Sequence, residues 1–340
     1  MIDDRRSRWG QPRLWTRRDW LLRAGLTGTG LLGAGALAAW GQHWWADRAV
    51  AVPPMPDAPP VYGNGLGPMQ VLRSFDYGRV KRENGRTIRE FQITANATNL
   101  PLNSVVSFPS WNYNGRVPGP TLRAKAGDRL RIAFLNRSGH AHTMHFHGIH
   151  PAAMDGIRPI RNEAATIYEF DAEPYGLHLY HCHVGPVARH IEKGLVGMLI
   201  IDPPEGRPPA DEMAIVMHGY DLNDDGRNEL YAFNGIPDFY KHYPIPIYQN
   251  QLVRIYLLNA VEYDPALTFH LHANFFQVYP TGMTRQPTMT TDVLTMGTIE
   301  RHILEFRYQH PGSYMFHPHQ DAIAEAGCMG LFQVLPARSA

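Results

Sequence analysis

Cysteine is scarce in this chain: Cys182 and Cys328 are the only two in 340 residues. In an exported protein such a pair invites a disulfide. Cys182 instead lies between His181 and His183, a setting suited to a metal thiolate, and Cys328 is left as a small core residue. An excess of either charge is also lacking. Lys+Arg 32 against Asp+Glu 31 gives a formal net charge of +1, so nothing directs the chain toward nucleic acid. Helical periodicity is weak. Short apolar runs such as residues 130–135 and 252–257, broken by Gly, Pro and Asn, predict strands. A long apolar run occurs only near the N-terminus, from Ala24 to Trp40, behind Thr16-Arg17-Arg18-Asp19-Trp20-Leu21-Leu22. The pattern predicts a twin-arginine signal over residues 1–51, with Ala36-Leu37-Ala38 and Ala49-Val50-Ala51 both fitting a cleavage site. Export to the periplasm or the exterior follows. No membrane association is expected of the mature form unless the segment is kept as an anchor.

Histidine, in contrast, is abundant, with 18 in the chain. Four short pairs stand out: His145-Phe-His147, His181-Cys-His183, His270-Leu-His272 and His317-Pro-His319. Residues i and i+2 of a strand point to one face, so each pair presents two imidazoles side by side. Eight nitrogen donors exceed the needs of one ion and suit a small metal cluster. Imidazole together with thiolate selects copper over hard, oxygen-preferring ions.

The pairs fall in two similar halves. A Pro-rich tether (residues 52–68) precedes a first domain over residues 69–202. A linker over residues 203–211, containing Pro203-Pro204 and Pro208-Pro209, leads to a second domain over residues 212–340. Asn114-Gly115 matches Asn234-Gly235, and Arg131-Ile132 with Asn136 matches Arg254-Ile255 with Asn259. Glu169 to His183 matches Glu305 to His319 without a gap. A duplicated all-β domain of this size is most simply a Greek-key β-sandwich. The halves also differ. His142 precedes the first pair where the second half has Leu267, Cys182 is replaced by Pro318, and His190 has no partner in the second half.

These residues, with Asn112-Tyr113-Asn114-Gly115-Arg116-Val117-Pro118-Gly119-Pro120-Thr121-Leu122 and Gly127-Asp128, resemble a two-domain multicopper oxidase of the laccase-like group that keeps its blue copper in the first domain. The resemblance implies two cupredoxin-like domains and four coppers per subunit. His142, Cys182 and His190 would bind the type 1 copper, with the non-ligating Leu195 in the axial position; Met198 is the competing axial residue. His145 and His270 would bind the type 2 copper. His147, His181, His183, His272, His317 and His319 would hold the type 3 pair. The implied activity takes single electrons from a phenol, an aromatic amine or a metal ion, probed at the imidazole edge of His190. Cys182 carries them to the cluster, where dioxygen is reduced to water. Asp155 is the expected proton-handling carboxylate, with Asp321 and Glu325 behind it. A turn aspartate before Gly156 is the plainer reading of Asp155. The resemblance further implies a head-to-tail homotrimer with the cluster shared between subunits.

Other signals carry less. Asp221, Asn223, Asp225 and Glu229 resemble the start of a calcium loop, but Ala232 stands where the bidentate glutamate belongs, so a polar turn is expected. His140, His150 and His178 fall outside the ligand frame and are expected to be solvated or supporting; His178 could also lie near the substrate entrance. Two other functions remain open. One is a copper-containing nitrite reductase, which has no use for so many cluster histidines. The other is a non-catalytic copper-binding or electron-transfer protein.

Overall fold

The computed structural model describes residues 59–338. The twin-arginine segment over residues 1–51, its cleavage sites and the first residues of the tether (52–58) lie outside the described residues. Among the described residues, no helix is long and apolar enough to cross a membrane.

Among the described residues the architecture is all-β, with four sheets and a few short helices. In the first half, Thr121–Lys125, Val196–Asp202, Gly176–His181 and His145–Phe146 lie side by side in that order. In the second half the order Ile245–Tyr248, Gly330–Leu335, Gly312–His317, Ala266–Leu271 repeats it. The opposing sheets repeat as well. Arg86–Pro101 pairs in parallel with Arg129–Arg137, which pairs antiparallel with Ala165–Asp171. Asp211–Tyr220, Val253–Asn259 and Arg301–Phe306 do the same. Alternating burial, as in Arg129–Arg137, places one face of such strands in the core.

The residues that marked the repeat have matching physical roles. Asn114, Gly115, Asn234 and Gly235 all have positive φ, as a type I′ turn requires. Each asparagine amide also clamps a neighbouring strand. Asn114 accepts from Thr94 N (2.7 Å) and donates to Gln92 O (3.1 Å). Asn234 accepts from Val216 N (2.9 Å) and donates to Ala214 O (2.9 Å). A side chain placed on Gly235 would have its Cβ 2.1 Å from Val117 O, so close packing as well as φ demands glycine there.

The tether expectation needs correction. From Tyr62 onward the chain is docked: Tyr62 is 2% exposed and donates to Asn234 O at 2.5 Å. Burying a phenol with a satisfied hydroxyl holds this stretch against the second half.

Between the sandwiches, Leu177, Leu179, Met198 and Ile200 pack against Val216, Tyr256, Leu258 and Ile303 in one apolar cluster. Beside it, buried Arg123 reaches Asp202 (2.7 Å) and Glu212 (2.6 Å), and Arg254 reaches Glu212 (3.0 Å) and Glu305 (2.6 Å). Burial alone would raise the carboxyl pKa of Glu212, but hydrogen bonds from Arg123, Tyr256 and Arg254 outweigh it and hold the group ionised.

Candidate metal centres

Three side chains converge in the first sandwich. His142 Nδ1 and His190 Nδ1 are 3.1 Å apart, and Cys182 Sγ lies 3.1 Å from His190 Nδ1 and 3.7 Å from His142 Nδ1. All three residues are buried. His142 is held by paired backbone bonds to Ile160 (both 3.1 Å), and Asn136 donates to the carbonyls of His140 and Ile160 at the mouth of the same loop. His190 comes from the short helix Val187–Glu192. Burial pushes the Cys182 thiol up, and Thr143 N, which donates to its Sγ at 3.4 Å, works against that.

Leu195 is fully buried in the same apolar cluster as Cys182, and its carbonyl accepts from Cys182 N at 3.1 Å. Met198 packs in the separate cluster between the sandwiches, as its strand position predicts. His190 is only 5% exposed, which departs from the expected open imidazole edge. The cover is Trp111, whose ring centre lies 4.9 Å from that of His190, 5.3 Å from His142 and 4.8 Å from His140.

The eight histidines of the four short pairs form two sets built alike. His145 is paired in register with His181, and His270 with His317. His147 Nε2 faces His181 Nε2 at 3.0 Å, and His272 Nε2 faces His317 Nε2 at 2.9 Å. His183 completes the first set, 5.0 Å ring to ring from His145, and His319 the second, 5.1 Å from His270. Among the described residues, every ring contact between these histidines stays within its own half.

Backbone carbonyls fix the tautomers. His181 Nδ1 donates to Cys182 O (2.9 Å) and His317 Nδ1 to Pro318 O (2.8 Å), leaving a lone pair on each Nε2. His145 Nδ1 donates to Asp155 O (2.7 Å), with Asp155 Oδ1 also 3.2 Å away. His270 Nδ1 donates to Asp292 O (2.8 Å). Lone pairs crowded at this spacing repel one another unless a cation lies among them, so the donor set fits metal ions. Such hydrogen bonds behind ligating imidazoles are the usual orienting partners in metal sites.

Several supporting residues were not visible in the sequence. Asp292 stands to His270 as Asp155 stands to His145, but an inserted strand pair, Phe276–Pro280 with Met289–Thr291, stretches its spacing. Thr143 Oγ1 accepts from His183 N (3.0 Å), and Thr268 Oγ1 accepts from His319 N (2.6 Å). Each threonine lies two residues before the first histidine of its pair, and that offset could have revealed them. Asp321 and Glu325 are exposed on the helix Asp321–Glu325. His178 is 1% exposed and bonds to Pro174 O at 2.8 Å, which makes it structural and removes it from any substrate entrance. His150 bonds to Phe146 O at 2.8 Å, and His140 is exposed against Trp111. The Asp221 carboxylate accepts from Asp225 N (3.1 Å) and Gly226 N (2.7 Å), as in a polar turn, and Asp221, Asp225 and Glu229 also lie close enough together to hold an ion.

Burial dominates the protonation of the site. It pushes His142 and His147 down to about 3 and His181 and His190 down to about 4, each helped by neighbouring imidazoles or charges. Burial likewise takes His218 down to about 4. Each of these groups is neutral when folded and takes up a proton on unfolding below its ordinary value of about 6.5. The unfolded state therefore binds more protons as the pH drops, and stability falls. Calorimetry of the metal-free protein is expected to show Tm decreasing continuously from about pH 6.5 to about pH 4. A Tm independent of pH over that window would contradict the burial of these imidazoles.

Two antiparallel-rich sandwiches with a buried cysteine–imidazole triad in one of them define a cupredoxin-like copper protein. Multicopper oxidase models match residues 94–206 and residues 207–338. The chain belongs to the multicopper oxidase family, in its two-domain form. A solved multicopper oxidase is 47% identical, with a TM-score of 0.79, covering 80% of this chain and 98% of that one. The copper nitrite reductase of Nitrosomonas europaea shares the fold, with a TM-score of 0.67 at 23% identity, covering 73% of this chain and 94% of that one. The copper-containing nitrite reductase of Neisseria gonorrhoeae is 27% identical over 250 residues, 65% of this chain and 61% of that protein. The chain thus spans about three fifths of the length of the curated nitrite reductases it matches.

Proposed function

We propose that the protein is a laccase-like copper oxidoreductase that takes single electrons from a small reducing substrate and passes them to dioxygen. Copper would supply the electron acceptor at the thiolate site and the oxygen-reducing centre at the histidine sites. His142, Cys182 and His190 would hold the first ion. His145 with His270 would hold a type 2 ion, and His147, His181, His183, His272, His317 and His319 a type 3 pair. The observation that carries this reading is the covalent link from the thiolate to the cluster: Cys182 is bonded in the chain to both His181 and His183, while its sulfur faces His142 and His190. Asp155 is suited to handle protons beside His145, and Asp292 flanks His270.

The separation of the two histidine sets supports assembly as a head-to-tail homotrimer, each cluster taking one set from either of two neighbouring chains. Such a heterologous contact must close into a ring or grow into a filament. With the twin-arginine segment, the reading places the enzyme in the periplasm or outside the cell.

Reduction of nitrite is the second reading. The relatives named above support it, as do the His145–His147–His181 and His270–His272–His317 triads, each of which could hold a single ion. Metal analysis with parallel assays separates the two. Four coppers per chain and oxygen uptake driven by a phenol are expected. Two coppers per chain, with nitrite but not oxygen consumed, would replace the first reading by the second.

A further inference from the structure

The geometry points to Trp111 as the electron-entry residue and to the cavity beside it as the docking site of a neutral, electron-rich aromatic ring, a phenol being the simplest member of the class. The inference rests on the oxidase reading above. His142 is fully buried and His190 nearly so, leaving little imidazole edge for a substrate to touch. Trp111 is half-buried, packs on both rings and also lines an open cavity of about 300 Å³. A volume of this size holds one aromatic ring.

The rest of the lining decides the chemistry. Phe108, Pro109 and Leu222 add apolar walls. The charged groups at its rim are engaged within the protein. Arg189 Nη1 pairs with Asp224 Oδ1 at 2.7 Å, and Lys193 Nζ sits 4.2 Å from the centre of the Phe108 ring. Asp221 is taken up by the backbone of its own turn. A flat neutral ring meets aromatic and apolar faces on which to stack. From the docked ring the route is short: indole to the His190 imidazole at 4.9 Å between centres, then His190 Nδ1 to Cys182 Sγ at 3.1 Å. Each phenol gives up one electron and its hydroxyl proton. The electron would be accepted by oxidised copper held by His142, Cys182 and His190, the proton would go to water, and the product would leave as a phenoxyl radical.

The test uses copper-loaded protein without oxygen, following bleaching of the blue absorption against phenol concentration. In Trp111→Leu the limiting bleaching rate is expected to fall, and half-saturation to rise by about tenfold, while the blue spectrum and midpoint potential stay as in the parent. Trp111→Phe, which keeps an aromatic face, should restore most of the binding. Leu222→Trp, which narrows the cavity without touching the ligands, should also raise half-saturation, and a sulfonated phenol should dock more weakly than the neutral one. Parental half-saturation and limiting rate in Trp111→Leu would overturn the proposal, as would a Phe variant no better than Leu. Bleaching does not require oxygen, so a protein that bleaches as described but consumes no oxygen would sink the oxidase reading and leave the entry site standing.

Discussion

Two variants that are each inactive should regain oxygen consumption when their subunits are mixed. His147→Ala removes a histidine from the first-half set and His272→Ala one from the second-half set. In a ring where each cluster takes its first-half ligands from one chain and its second-half ligands from the next, either homotrimer lacks a ligand at every cluster. Mixed rings contain some contacts between an intact first half and an intact second half. With random exchange the chance is one half for each, so about a quarter of the clusters are whole. Refolding or dilution-driven exchange of the two variants, followed by oxygen uptake, reads this directly. A mixture no more active than its components would show that both sets serve one cluster within a single chain, or none. The expectation follows from histidine ring contacts that never cross between the halves.

Cys182→Ser should abolish both colour and turnover. A hydroxyl at this place is a poor partner for copper beside two imidazoles, and the soft ligand that distinguishes the site is gone. Oxygen uptake should drop by more than the roughly 10–100-fold typical of losing a residue that merely supports a metal ligand. The His181 and His183 backbone is unchanged, so the histidine cluster should still take up copper. Metal analysis is therefore expected to show the loss of one ion per chain. Retention of the blue absorption would show that the thiolate belongs to some other site.

The parts of this molecule that were legible in the sequence are those fixed by local spacing. An i, i+2 histidine pair keeps its meaning wherever a strand forms, and the Asn-Gly anchors signal their turns through the φ values only such residues adopt readily. The repeat was legible for the same reason, since both halves run the same strand order. Contacts made across the fold were not. Trp111 meets His140, His142 and His190 only because the strand Ser107–Tyr113 crosses the mouth of a distant loop and helix. Asp292 lies farther along the chain from His270 than Asp155 does from His145, and the docking of Tyr62 depends on a carbonyl contributed 172 residues away. His178 was left between a structural role and the substrate entrance because strand position does not tell which side of a sheet is covered; its burial decides for the structural role.

The apolar cluster joining Leu177, Leu179, Met198 and Ile200 to Val216, Tyr256, Leu258 and Ile303 has an effect beyond cohesion. It makes the angle between the two histidine-bearing edges a property of side-chain packing, and the proline-rich stretch between the sandwiches is left with little to set. A methyl group added to or removed from that seam would tilt one edge against the other. If the chain closes into the proposed ring, the tilt would recur at every joint, and a few buried side chains on the strands that carry the histidines would set the curvature by which the last subunit meets the first.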